Sequence, residues 1–200
     1  MNFASDNAAG AHPDILAAMT RANEGAAASY GGDELTRRAE KKFREIFERD
    51  VAVFFVATGG AANSLALAQL TPPWGMILCH QESHIQMDEC GAPEFFTGGA
   101  KLLPLDGFAA KLTPETVKSG LAGFPERPPH GMPAAALSIT QASECGAVYS
   151  VDEVKALGRL AREEGLKFHM DGARFANAVA ALGCSPADIS WKAGVDVLSF

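Results

Sequence analysis

The chain has 200 residues, 48% of them hydrophobic, and a mean hydropathy of +0.03, enough apolar material for at least one full-sized buried core. Its net charge of -7 and pI near 5.2, with basic residues scattered and gathered into no stripe, exclude a surface built to neutralise phosphates, so nucleic acid is not an expected partner. The opening MNFASDNAAG has neither a basic nor an apolar signal region, and the longest clean apolar run, Val51 to Ala57, is too short to span a bilayer, so a cytoplasmic location without membrane contact is expected.

In chain order, residues 1–32 are rich in glycine and alanine and are expected as an N-terminal segment with no core of its own, ahead of a large domain over 33–200. DELTRRAEKKFREIFERD (33–50) has a helical pattern and VAVFFVA (51–57) that of a buried strand. Helix AANSLALAQL (61–70), strands WGMILCH (74–80) and AKLLPL (100–105), and helix TPETVKSGLAGF (113–124) follow. The Pro-rich stretch FPERPPHGMP (124–133) is short enough for a connection within one domain. Strand AAALSIT (134–140), helix SVDEVKALGRLAREEG (150–165), strand LKFHMD (166–171), helix ARFANAVAALG (173–183) and strand VDVLSF (195–200) complete the series. Thr113-Pro114-Glu115 and Ser150 with Glu153 predict helix N-caps, the second as a capping box, and Gly165 and Gly183 predict C-caps. Strands alternating with helices predict a mostly parallel sheet covered on both faces. The chain stops at Phe200 inside a strand pattern, with no turn or polar tail, and is expected to be the front part of a longer protein. Cys79, Cys90, Cys145 and Cys184 contain no C-x-x-C pair, which predicts reduced thiols in a core and neither a disulfide framework nor a zinc site.

Three stretches carry chemistry. In FFVATGGAANSLAL, the turn Thr58-Gly59-Gly60 leads from strand to helix, so backbone amides and the positive end of the helix dipole converge on an anion site; the same turn also serves as plain punctuation. In CHQESHIQMDECGAP (79–93), His80 and His84 are four apart, but no third ligand has metal-site spacing, and no metal is expected. A histidine at that strand-to-helix junction lies against a ring, works as a base, or simply caps the edge of the core. In FHMDGAR, Asp171 ends a strand at the carboxyl edge of the sheet, where open α/β folds bind ligands. One reading makes it the cap of the next helix, paired with Arg174 on the surface. The other makes it the partner of a pyridinium nitrogen, with Arg174 gripping a substrate carboxylate bidentately.

SDN (5–7), YGGDELT (30–36), ATGGAAN (57–63), SHIQMDECGAP (83–93) and HMDGARFANA (169–178), in that order, resemble the low-specificity L-threonine aldolases and their relatives in the β-eliminating-lyase group of fold-type I pyridoxal phosphate enzymes. The resemblance implies a fold-type I large domain, with the C-terminal small domain absent from this chain. It implies a carbon–carbon lyase of amino acid metabolism that cleaves L-threonine, L-allo-threonine or a related β-hydroxy-α-amino acid to glycine and an aldehyde. Phenylserine cleavage, β-elimination and racemisation are the alternatives on the same scaffold. It implies pyridoxal 5'-phosphate as cofactor, held by Thr58, Gly59 and Gly60, with His84 stacked on the ring and acting as base, Glu89 behind it, and Asp171 on the pyridine nitrogen. Ser5 and Arg174 would hold the substrate carboxylate, Arg174 lying against the cofactor as well. A homo-oligomer, dimer or tetramer, is implied, and the Schiff-base lysine is expected a few residues past Phe200. The segment TQASECG (140–146) departs from the asparagine-threonine-histidine run of commoner members, so substrate preference stays open.

Overall fold

The computed structural model describes residues 9–125, 127 and 129–200. These divide into two compact units, one ending at Val53 and the other running from Phe54 to Phe200.

The first unit holds two helices. α1 (Pro13–Ala22) was not expected from the sequence; the His12 side chain accepts from the Asp14 amide, and Pro13 pre-sets the first turn. α2 (Glu34–Ile46) starts at Asp33, whose carboxylate accepts from the Thr36 amide at 2.8 Å and the Thr36 hydroxyl at 2.7 Å. These two bonds, the hydroxyl's the stronger influence, hold the Asp33 carboxyl below its ordinary pKa. DELT is therefore a helix start in this structure.

The second unit is a five-stranded parallel sheet in the order β2-β1-β3-β4-β5, where β1 is Met76–His80, β2 Lys101–Leu105, β3 Ala134–Thr140, β4 Lys167–Asp171 and β5 Val197–Ser199. α3 (Gly59–Leu70) packs on β4 and β5 and against α5 (Ala92–Phe96), which with α4 (His84–Met87) links β1 to β2. α6 (Pro114–Gly123) packs on β2 and against α7 (Val151–Glu163), which lies on β4. Right-handed crossovers place links running in opposite directions along the sheet on opposite faces, so both faces are covered. α8 (Phe175–Leu182) ends at Gly183, in the left-handed region at φ 61. Ile77, Leu78, Leu137, Phe168 and Met170 are buried along the central strands, and Leu67, Leu157 and Phe175 close over them from the helices. Both predicted caps form: Ser150 and Glu153 make the expected capping box, and Thr113 makes a second one with Thr116.

Two expectations need correction. VAVFFVA (51–57) is not a strand; it pairs with no strand of the described residues, and Phe54 is 84% exposed. An apolar run becomes a strand only when another backbone satisfies its amides and carbonyls. Of the four thiols only Cys79 is buried, burial pushing it up to about 11; Cys90 and Cys145 are exposed and Cys184 intermediate, so the prediction of core thiols holds for one residue.

Candidate active site

Parallel strands deliver their last residues to one edge, and the chemistry-bearing side chains gather there. Asp171 ends β4 and is buried. Its backbone is held from both sides: the Asp171 carbonyl accepts from the Gln141 amide at 2.8 Å, and the next amide, Gly172, donates to the Ser199 carbonyl at 2.7 Å. Gly172 has no room for a side chain, because a Cβ would lie 2.7 Å from both Leu198 Cδ1 and the Ser199 oxygen. The glycine of DGAR thus lets the chain turn hard against β5 and keeps the preceding carboxylate at the sheet edge.

Each Asp171 oxygen has a donor. Oδ1 accepts from the Ala173 amide at 3.0 Å, and Oδ2 accepts from Asn63 Nδ2 at 2.9 Å. Asp171 therefore closes the turn that leads into α8, whose own N-cap is Arg174. Arg174 Nη1 lies 3.3 Å from Glu144 Oε2, in the loop after β3. A carboxylate accepts about four hydrogen bonds, so Asp171 retains capacity toward a ring N–H.

His84 begins α4 beyond the tip of β1. Its Nδ1 is 2.9 Å from Glu89 Oε1, and its side chain is 46% exposed while that of Glu89 is 3% exposed. The hydrogen bond to Glu89 is the main cause that raises the His84 pKa above its ordinary value; partial burial opposes it, and the charges of Glu89, Asp171 and Glu144 add to the rise. His80 does not share a helix with His84. It ends β1, accepts from the Glu82 amide at Nδ1 and faces the Gly107 carbonyl through Nε2, 3.0 Å away, so both nitrogens are committed to shaping the neighbouring loops.

α3 completes the cluster. Thr58 is its N-cap, accepting from the Ala61 amide at 3.1 Å, and Gly59 and Gly60 form the first turn, whose amides have no intrahelical acceptor. A Cβ on Gly59 would meet nothing within 4 Å, so the space in front of this helix end is open. Further along α3, Asn63 is buried and Nδ2 donates to Glu89 Oε1 at 2.8 Å as well as to Asp171. Sequence reasoning quoted Asn63 within ATGGAAN without giving it a role. The available signal was an asparagine early in a mostly apolar helix, GGAANSLALAQL. His84, Glu89 and Asp171 offer ligand atoms within 4.8 Å of one another, and hydrogen bonds with Asn63 and within the His84–Glu89 pair already engage them. Ser5 lies outside the described residues.

An open helix N-terminus, a half-exposed imidazole and a buried strand-tip carboxylate fit the three parts of pyridoxal phosphate: phosphate, ring face and ring nitrogen. Glu89 Oε2 and Asn63 Oδ1, buried without a partner among the described residues, mark the same spot as a polar floor. The fold is that of the large domain of the fold-type I pyridoxal phosphate enzymes. Comparison with known proteins gives the narrower group: the model of the beta-eliminating lyase family matches residues 2–200, and the chain belongs to that family. It is 49% identical over 198 residues to the low specificity L-threonine aldolase of Pseudomonas aeruginosa, covering 99% of this chain and 57% of that protein. The solved threonine aldolase of Leishmania major superposes with a TM-score of 0.84 at 30% identity, covering 91% of this chain and 53% of the other. Serine palmitoyltransferase of S. paucimobilis, at 18% identity and a TM-score of 0.57 over 80% of this chain, shares the fold. The chain spans a little over half the length of these two threonine aldolases.

Proposed function

We propose that these residues form the cofactor-binding half of a pyridoxal phosphate-dependent aldehyde-lyase that cleaves L-threonine, L-allo-threonine or a related β-hydroxy-α-amino acid to glycine and an aldehyde. The observation that carries the reading is the convergence of Asp171, the His84–Glu89 pair and the open N-terminus of α3 at one sheet edge. The threonine aldolases among its relatives support the substrate class.

Pyridoxal phosphate, when bound, spreads over its ring the electron pair left at the substrate Cα when the Cα–Cβ bond breaks. The protein's part is positioning and proton control. The amides of Gly59 and Gly60, with the Thr58 hydroxyl beside them, hold an anion on the helix dipole. Asp171 keeps a proton on the ring nitrogen, its carboxylate aimed by the Ala173 amide and the Asn63 side chain. His84 presents its ring face for stacking. With Nδ1 tied to Glu89, its Nε2 takes the substrate hydroxyl proton and returns it. Arg174 would lie against the cofactor and offer its guanidinium to the substrate carboxylate, assisted by Ser5. The reading includes a Schiff-base lysine past residue 200, an N-terminal arm over 1–32 that reaches a neighbouring subunit, the large domain over 33–200, a homo-oligomeric dimer or tetramer, and the cytoplasm as location. No helix of the described residues is long and apolar enough to cross a membrane.

The test is product analysis of the full chain loaded with pyridoxal phosphate. Threonine should yield acetaldehyde and glycine in equal amounts; neither product appearing would overturn the reading. The family's own description favours β-elimination as a second reading, which serine would reveal by releasing pyruvate and ammonia.

A further inference from the structure

We propose that Asn63 is a positioning residue of this site, its single amide group donating one hydrogen to Glu89 and the other to Asp171 so that two buried carboxylates stand together in fixed orientations. The inference rests on the proposed function only for its catalytic consequence; the geometry stands without it.

Asn63 lies one turn into α3 and is 2% exposed. Nδ2 is 2.8 Å from Glu89 Oε1 and 2.9 Å from Asp171 Oδ2, partners 26 and 108 residues away in the chain. Both partners are buried. Two ionised carboxylates this close, with little water between them, repel strongly and turn away from each other unless a shared donor lies between them. The chemistry of that donor is restricted. A hydroxyl gives one hydrogen, a carboxyl at most one, and an ammonium would add a third charge; a primary carboxamide gives two hydrogens and no charge. Because both neighbours are acceptors, the orientation of the Asn63 amide is fixed by chemistry.

The bridge joins the parts of the site that act on different atoms. Glu89 Oε1 also receives His84 Nδ1 at 2.9 Å, and Asp171 Oδ1 is held by the Ala173 amide at 3.0 Å. The hydrogen-bond path His84–Glu89–Asn63–Asp171 therefore connects the proposed base to the proposed partner of the ring nitrogen through one helix side chain. Asn63 acts on the site through the two acids that it bonds.

The first experiment reads the bridge directly, by NMR on the full wild-type chain with and without pyridoxal phosphate. Both carboxamide protons of Asn63 should be shifted downfield and exchange slowly with water. Glu89→Leu should release one of them and Asp171→Leu the other, since neither side chain offers an acceptor. Two protons exchanging like those of a surface asparagine would overturn the proposal whatever the protein catalyses. The second experiment is a kinetic cycle on the loaded chain. Asn63→Leu, with Asn63→Ser as the milder variant, should lower kcat for threonine cleavage by about 10-fold or more with KM within about twofold, since the residue aims groups and does not touch substrate. In the Glu89→Gln, Asp171→Asn background the same change should cost almost nothing, because the two charges that it holds together are gone. Full additivity would reduce Asn63 to a packing residue and overturn the positioning role. If wild-type enzyme cleaves no threonine, the functional reading fails while the NMR result still decides the bridge.

Discussion

Asp171 illustrates how one side chain carries a local and a chemical task together. Capping the turn at Ala173 uses one lone pair of Oδ1 and the Asn63 amide one of Oδ2, leaving room for a ring N–H. Asp171→Asn keeps an acceptor for Ala173 but cannot hold a proton on the ring nitrogen. Cofactor binding should therefore survive, by absorbance of the loaded protein, while threonine cleavage falls by about 100-fold or more. Near-normal turnover would leave Asp171 only as a cap. His84 gives the complementary prediction. Glu89 raises its pKa, so its imidazole should titrate above the ordinary value of about 6.5, and Glu89→Gln should bring the titration down, as histidine 13C or 15N shifts would report. A titration that does not move would mean that Glu89 does not set the proton affinity of His84.

Helices and strands show where sequence was sufficient. α7 was legible from its caps and periodicity, and its interior makes a sharp prediction. Gly158 faces the 3-10 turn Trp191–Ala193, and a Cβ there would fall on the Ala193 carbonyl. Alanine is the better helix former by about 1 kcal/mol, yet Gly158→Ala should lower the melting temperature, because overpacking against rigid backbone costs about 1–3 kcal/mol. Ser150→Ala, which removes the acceptor for the Glu153 amide at 3.2 Å, should cost about 1 kcal/mol by the same measurement. A rise in stability for Gly158→Ala would show that the turn moves aside. Where sequence failed, the deciding contact was distant or brief. The run 51–57 has strand composition but no paired neighbour among the described residues. α4 and α5 are too short for periodicity to register. The pairing of Arg174 with Glu144, 30 positions away, has no local signal in the sequence. The acid, the histidine and the helix turn were visible as residue types in order; the Asn63 bridge between them depends on α3 packing across the strand tips, which no local pattern encodes.

At the scale of the whole molecule, the sheet contains a polar rung that makes global stability depend on pH. His169, fully buried two residues before Asp171 and so on the same face of β4, lies between Ser138 of β3, 2.8 Å from Nδ1, and Ser199 of β5, 2.9 Å from Nε2. A neutral imidazole has one donor and one acceptor, and each serine hydroxyl rotates to complement the nitrogen it faces, so three strands are joined without a charge. Burial pushes the His169 pKa down to about 4, against the pull of the Asp171 charge. The sign follows from linkage. In the unfolded chain histidine binds its proton near pH 6.5, whereas in the fold it binds only near 4, so the contribution is fully present above about 6.5 and is lost as pH falls toward 4. Its full size is about 3 kcal/mol at most. His84 has the opposite sign, with its contribution present at low pH and fading as pH rises through its raised folded value, but nearly half its side chain is exposed and solvent screening keeps that term small. The protein should therefore lose stability steadily in urea titrations taken from pH 7 to pH 4, and His169→Gln, which retains a donor and an acceptor but cannot titrate, should flatten that slope while lowering stability at pH 7. An acid slope unchanged by His169→Gln would place the proton uptake elsewhere in the molecule.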